Sequence, residues 1–316
     1  MSFRCSSRSG SRELRWHRYL PVRYHRAMPI LWFRREFFSC RAQVFLLLLV
    51  GLTPVVHAEW FGETQAKMGT RVEVQFWHAD ADQAASLMKA AMAEIDRIEQ
   101  EMSTFRESSP ISAVNREAAV RPVPVSTELF GLVERALELS ELTNGAFDIT
   151  FDSVGQLYDF RSGRRPDGEE IAARLGSIDY HQVHLLAKQH AVRFLHPGVR
   201  INLGGIAKGY TVESVIGLLR KAGVKHALAT AGGDTRLLGD RRGRPWTVGI
   251  RNPDDKRGLV TRLALADEAI STSGDYERFF IEDGVRYHHI LDPATGHSAG
   301  ALRSATVIGP DATMTD

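Results

Sequence analysis

Cysteine is almost absent. The chain has two, Cys5 and Cys40, and the segment from residue 59 onward has none. A cysteine nucleophile, a cysteine-based zinc site and a disulfide scaffold are therefore excluded there. Long apolar runs are also missing. The strongest one, residues 44–52 (VFLLLLVGL), is too short to span a bilayer comfortably. There is no fixed-period repeat, no low-complexity tract, no Walker loop, no GxGxxG fingerprint and no GxSxG nucleophile elbow. Basic residues are outnumbered beyond residue 58. The head, 1–58, holds ten arginines and two glutamates, leaving 30 basic and 36 acidic residues for the remainder. A body with that excess of acid is a poor candidate for general nucleic-acid binding.

What is present begins with that head. An arginine-rich stretch runs into the apolar segment, Thr53-Pro54 breaks it, and Val56-His57-Ala58 follows with small residues. This pattern predicts a secretory signal peptide over 1–58, cleaved after Ala58, and hence export to the periplasm; the alternative is an uncleaved membrane anchor. Met28 is a second candidate start that gives a leader of more usual length. The composition, 43% hydrophobic and 25% charged in 316 residues, suits a globular body with a sizeable core.

Within the body, taken as 59–316, alternation over Thr70–Phe76 predicts a half-buried strand. Leu87, Met88, Ala91, Ile95, Ile98 and Met102 recur at helical spacing behind the cap candidates Asp80 and Asp82. Ser108-Ser109-Pro110 reads as the start of a polar loop. A second amphipathic helix is expected over 126–143, capped by Ser126 and stopped at Asn144-Gly145. Residues 161–177 are loop-like and end in a short helix. Strands are expected at 183–186 and 191–194, a short strand at 199–203, and a helix after Gly204-Gly205. Further strands follow at 226–231, 236–239, 247–250, 261–265, 269–274, 278–281, 286–291 and 304–308, and Asp311–Asp316 begins another helix. Helices packed on mainly antiparallel sheets, an α+β fold, fit this order.

Four glycine-containing turns, at 204–205, 232–233, 274 and 296, sit at predicted strand ends beside Lys208, Asp234, Ser271–Ser273, and Asp292 with Thr295. Such loops commonly build a ligand pocket. Gly204-Gly205 before a helix, with Lys208 in the first turn, suits a phosphate, since free N–H groups and the positive end of the helix dipole point at one place. A tight turn with a surface lysine fits the same residues. Asp148 and Asp316 could hold a divalent ion bridging phosphates. Ser271 or Ser273 with His289 is a rival nucleophilic arrangement. His288 and His289 point to opposite faces of a strand, so only one could meet a metal.

The motifs Met68-Gly69-Thr70, Ser103-Thr104-Phe105, Gly145-Ala146-Phe147-Asp148, Asn202-Leu203-Gly204-Gly205-Ile206-Ala207-Lys208-Gly209-Tyr210, Ala231-Gly232-Gly233-Asp234 and His289-Ile290-Leu291-Asp292-Pro293-Ala294-Thr295-Gly296 appear in that order. Together they resemble the ApbE family of FAD:protein FMN transferases. The resemblance implies a T-fold-like core and a magnesium-dependent periplasmic enzyme. It would split FAD and attach FMN to a threonine of a target flavoprotein, such as a subunit of a membrane redox complex, releasing AMP. It further implies that Met68, Phe105, Ala146, Phe147, Asp148, Asn202, Lys208 and Ile290 line the FAD site. His289 would be the proton acceptor, and Gly205, through its carbonyl, and Asp316 would hold the metal. Many relatives have Asp where Asn202 stands. In the family, the helix beginning at the residue matching Asp316 also supplies a threonine ligand one turn on. The sequence ends before it, which implies either a fragment or a protein that lacks this ligand and its last helix; a fragment is expected, and the 316-residue chain is expected to bind metal weakly and turn over poorly. A magnesium-dependent FAD pyrophosphatase and a non-catalytic FAD-holding module are the alternatives.

Overall fold

The computed structural model describes residues 58–316 with the exception of Lys256. The expected leader, with Cys5, Cys40 and Met28, lies outside the described residues apart from Ala58. In chain order the elements are β1 (Glu59–Lys67), β2 (Thr70–His78), α1 (Ala81–Met102), α2 (Pro110–Glu117), β3 (Val123–Pro124), α3 (Thr127–Leu142), α4 (Asp152–Gly155), α5 (Gly168–Leu175), β4 (Val183–Leu186), β5 (Ala191–Phe194) and α6 (Ala207–Lys221). Then come β6 (Ala227–Ala231), β7 (Asp234–Leu238), β8 (Trp246–Arg251), β9 (Leu259–Leu265), β10 (Ala269–Gly274), β11 (Phe279–Glu282), β12 (Val285–His288), β13 (Ser304–Gly309) and α7 (Ala312–Thr315). One sheet has six strands in the order β1-β2-β6-β7-β10-β13, paired antiparallel throughout. A three-stranded sheet, β3-β5-β4, and the ribbons β8-β9 and β11-β12 complete the α+β architecture. No helix among the described residues is long and apolar enough to cross a membrane.

Two cores meet along α1. Its N-terminal part, with Ala84, Met88, Ala91, Met92 and Ile95, packs with Val212, Val215, Ile216 and Leu219 of α6 on Val72, Val74 and Phe76 of β2 and on the alanines of β6. Its C-terminal part, with Ile98 and Met102, packs with α2, α3, β5 and the segment Val199, Ile201, Leu203 and Ile206. The 3.6-residue period turns one apolar stripe toward both layers. Asp80 caps α1 by accepting from Gln83 N at 2.9 Å, and Ser126 caps α3 by accepting from Leu129 N at 3.0 Å.

Several sequence expectations are corrected. Ser109-Pro110 opens α2, not a loop. Ser109 is the N-cap, Pro110 stands in the first turn, and Ile111 and Val114 are buried, a start signal that a polar reading overlooks. β1 precedes the expected first strand and pairs with β2 along its whole length; its residues EWFGETQAK carry too little apolar alternation to announce it. Residues 199–203 form no strand, although Val199, Ile201 and Leu203 alternate inward. Their backbone bonds go elsewhere. Ile201 N donates to Asn115 Oδ1 at 2.8 Å and Asn115 Nδ2 donates back to Ile201 O at 2.9 Å. Arg200 N donates to Ser153 Oγ at 3.0 Å, and Asn202 N to Ile149 O at 2.9 Å. Finally, β12 stops at His288, because Ser298 Oγ accepts from His288 N at 2.8 Å and donates to His288 O at 2.7 Å. His289–Leu291 therefore leave the strand.

Candidate active site

The extended segment 199–203, held from below by its buried alternate residues, delivers Gly204-Gly205 to the start of α6. No side chain caps that helix. Instead Asp316, from the end of the chain, reaches its first turn. Asp316 Oδ2 accepts from Gly209 N at 2.9 Å, and Oδ1 accepts from Lys208 Nζ at 2.8 Å. A carboxylate at a helix N-terminus is favoured by the dipole. In a regular helix Gly209 N–H would bond the Gly205 carbonyl; among the described residues nothing donates a hydrogen bond to that carbonyl. The approach demands glycine at 209, since a Cβ there would stand 2.0 Å from Ala312 O and 2.8 Å from Asp316 Cβ.

Lys208 sits between two carboxylates. Its ammonium lies 2.7 Å from Asp234 Oδ2, 2.8 Å from Asp316 Oδ1, and 3.2 Å from Gly204 O. Both carboxylate side chains are 3% exposed. Burial pulls the Lys208 ammonium down, but the charges of Asp316 and Asp234 outweigh it and hold the group above its usual value. Asp234 is pushed up to about 6 by burial and by the like charge of Asp316, against the pull of Lys208 and a hydrogen bond from Ser271. Behind the pair, Ser271 Oγ and Thr315 Oγ1 lie 2.9 Å apart in the interior. Sequence alone puts Asp234 in a glycine turn, with nothing to connect it to Lys208. Its signal was the position directly after Gly232-Gly233.

The other candidates surround this centre unevenly. Phe147 lies against Gly205, where an added Cβ would be 3.2 Å from the ring. Asn202 Oδ1 accepts from Gly204 N at 2.8 Å, and Nδ2 donates to Asp152 Oδ1 at 3.0 Å and Thr104 Oγ1 at 3.3 Å. Asn202 thus ties the loop carrying Phe105 to the glycine turn. Asp152 is buried and accepts from Arg200 Nε at 2.5 Å, so an amide at 202 supplies a donor that a carboxylate could not. Phe105 itself is 85% exposed, and Ala146 is also exposed. Asp148 has both oxygens committed internally. Oδ1 accepts from Thr150 N and Oγ1 at 2.8 and 2.6 Å, and Oδ2 accepts from Tyr180 N at 3.0 Å. Burial raises its pKa against those bonds.

Met68 occupies the β1–β2 turn with φ of 54°, and its N–H donates to Glu99 Oε2 at 3.0 Å. Arg278 Nη2 donates to the neighbouring Gly69 O at 3.3 Å, while Arg278 O accepts from His289 N at 3.2 Å. The imidazole of His289 has no partner at Nδ1. Burial, with the charge of Arg278 and smaller contributions from His288 and Lys208, lowers it to about 4. It is therefore neutral at pH 7 with a free ring nitrogen. His288 points the other way, and its Nε2 donates to Ala299 O at 2.7 Å. Ile290 O accepts from Ala299 N at 2.9 Å. The rival serine arrangement finds no support in contacts: Ser271 faces Thr315 and Asp234, and among the described residues neither Ser271 nor Ser273 hydrogen-bonds His289.

Among the described residues no group of three or more His, Cys, Asp or Glu side chains is arranged to hold a metal. The oxygens that converge on Lys208, two carboxylates and a carbonyl, nevertheless already hold one cation. These oxygens, like the undonated Gly205 carbonyl, are of the hard type that magnesium prefers.

The ApbE family model matches residues 68–316. The FAD:protein FMN transferase of Vibrio cholerae is 35% identical over 79% of this chain and 76% of its own. That of Treponema pallidum is 33% identical over 81% and 76%. Among solved structures, the ApbE protein of Thermotoga maritima superposes with a TM-score of 0.76 at 33% identity, covering 81% of this chain and 84% of its own. The flavin transferase ApbE of V. cholerae gives 0.72 at 30%, covering 82% and 84%. With the family's motifs in order and its fold reproduced, this chain belongs to the ApbE family.

Proposed function

We propose that the protein is a magnesium-dependent FAD:protein FMN transferase. It would cleave the diphosphate of FAD and join FMN to a threonine hydroxyl of a target flavoprotein. The observation that carries the proposal is the Gly204–Lys208 turn, where a lysine ammonium, a helix start and a carboxylate meet within electrostatic reach of a neutral histidine whose Nδ1 has no partner. The Asp316 carboxylate and the Gly205 carbonyl would hold magnesium, which would supply charge neutralisation to the diphosphate.

The chain's own residues do the rest. Lys208 faces the phosphates. Phe147, packed on Gly205, and the exposed Phe105 offer apolar and aromatic surface for the ring systems. Met68, Ala146, Asp148, Asn202 and Ile290 shape the remaining walls, Asp148 by bracing the turn rather than by contact through its committed oxygens. His289 accepts the threonine proton as Oγ bonds to the FMN phosphorus, and the bond from that phosphorus to the bridging oxygen breaks, releasing AMP. Export fits the leader: we place the protein in the periplasm, at or near the inner membrane, with flavin-bearing subunits of membrane redox complexes as targets.

The test is to incubate the purified protein with FAD, magnesium and a threonine-bearing target domain and to weigh the target. A gain of one FMN supports the reading. Free AMP and FMN without target modification point to a pyrophosphatase, and intact bound FAD to a holding module. Removing magnesium with EDTA should stop transfer and added magnesium restore it. Intact-mass analysis of the exported protein should give an N-terminus at Glu59.

A further inference from the structure

We propose that Lys208 is a built-in competitor for the cation at Asp316, and that Asp234 is the positioning residue that takes the ammonium over when a metal arrives. The inference rests on the metal reading above and adds a second state to the site. The three donors of the Lys208 ammonium face Asp234 Oδ2, Asp316 Oδ1 and Gly204 O at 2.7, 2.8 and 3.2 Å, which uses its whole bonding capacity. Each Asp316 oxygen already accepts one bond, Oδ1 from the ammonium and Oδ2 from Gly209 N at 2.9 Å. A divalent cation bound at Asp316 Oδ1 would stand at contact distance from the ammonium, and the repulsion between the two charges in this buried site drives the ammonium off that oxygen.

Asp234 decides what that displacement costs. It is 2% exposed and anchored at the start of β7, where its backbone pairs with Ala231 and Ser271, so it does not follow the lysine. With Asp234 present, the ammonium leaves Asp316 but keeps a buried charge partner. Without it, Asp316 is the one carboxylate among the described residues within 4 Å of the ammonium, and the ammonium stays. The donor released from Asp316 is then free for an anionic ligand such as a diphosphate, while Asp234 still holds the side chain. Breaking a buried ion pair by removing one partner is costly because the other charge is left uncompensated; the second carboxylate avoids that state.

Binding of Mn2+ alone, followed by electron paramagnetic resonance, and of Mg2+ alone, followed by calorimetry, tests this on the full chain without FAD. Lys208→Gln is expected to tighten metal binding at least about tenfold. Asp234→Asn is expected to weaken it by about tenfold in the native background, but by less than about threefold in the Lys208→Gln background, because its effect acts through the lysine. Mere loss of a negative charge would weaken binding by the same factor in both backgrounds, and that result overturns the positioning role. Metal binding by the unaltered chain that Lys208→Gln leaves unchanged overturns the competition alone. Failure of every form to bind either metal overturns the metal reading and this proposal together. Should Lys208→Gln not fold, the unaltered chain still decides: the Lys208 Nζ resonance in 15N-labelled protein must shift on saturation with Mg2+, and a resonance that stays in place overturns the exchange.

Discussion

His289 has a ring nitrogen with no partner and an affinity for protons far below the ordinary imidazole. Its basic form is therefore populated through the neutral range. The acid limb of kcat/KM for flavin transfer is expected near pH 4, and a limb near 6.5 would contradict the assignment. Replacing it, His289→Ala, should lower the transfer rate by about 10²–10⁴-fold while FAD still binds by equilibrium dialysis. The same shift has a stability consequence. Between pH 6.5 and 4 the unfolded chain binds a proton that the native imidazole refuses, so this group's contribution to stability falls as pH falls through that window, by at most ~3 kcal/mol. Asp234, pushed up to about 6, acts oppositely over part of the range, so the His289 contribution is read as the difference in denaturation midpoint between the native chain and His289→Gln. Asp148 shows the other kind of buried group, one whose oxygens accept three bonds from Thr150 and Tyr180. Asp148→Asn should cost about 1–3 kcal/mol of folding stability by urea denaturation, and full stability would indicate that its oxygens are not committed internally.

At the scale of elements, the contact between α6 and α7 makes the site. α7 is one turn long and capped by Asp311, whose Oδ1 accepts from Met314 N at 3.1 Å. Ala312 N donates to Glu213 Oε2 of α6 at 3.0 Å, and this bond, together with the missing Cβ at 209, lets Asp316 reach the helix start. Gly209→Ala places a methyl into backbone, a cost of about 1–3 kcal/mol or more from overpacking. It is expected to lower the thermal midpoint and to abolish metal binding together, because α7 must retreat. Retention of both properties would show that α7 does not seat as described. The glycine of the β6–β7 turn, Gly233, is equally constrained, with a Cβ that would lie 2.4 Å from Thr272 O. That closeness brings Asp234 to the same centre from the opposite side.

For the whole molecule, α1 joins the two cores. Ile95 belongs to the packing on the six-stranded sheet and Ile98 to the packing around α2, α3 and β5; both are at most 1% exposed. Ile95→Ala and Ile98→Ala should each cost about 2–5 kcal/mol. Each should shift a single cooperative urea transition, since the layers share one rigid element. Two separated transitions, with only one displaced in each variant, would mean that the layers fold independently. The candidate site lies where these layers meet, supplied by α6 from one and by the segment 199–206 from the other.

Much of this was legible in the sequence. Local order wrote itself into it: the caps Asp80 and Ser126, the period of α1, and the ordered glycine motifs that mark the family. Each depends on residues close in the chain or on a preserved pattern. The Ser109-Pro110 start was present but masked by its polarity, and β1 lacked the alternation that marks a half-buried strand. Residues 199–203 carried that alternation without a strand, because burial sets the period while the partners of the backbone set the ladder. The meeting of Lys208, Asp234 and Asp316 was beyond local reading. Those residues are separated by dozens of positions, and only the packing of α7 on α6 and of β7 beside β10 brings their charges within 3 Å. Composition and pattern determined the family, the classes of element and the residues available for chemistry. The tertiary structure decided which of them share a charge, because electrostatic coupling depends on distance and burial, and neither is a property of the chain read in one dimension.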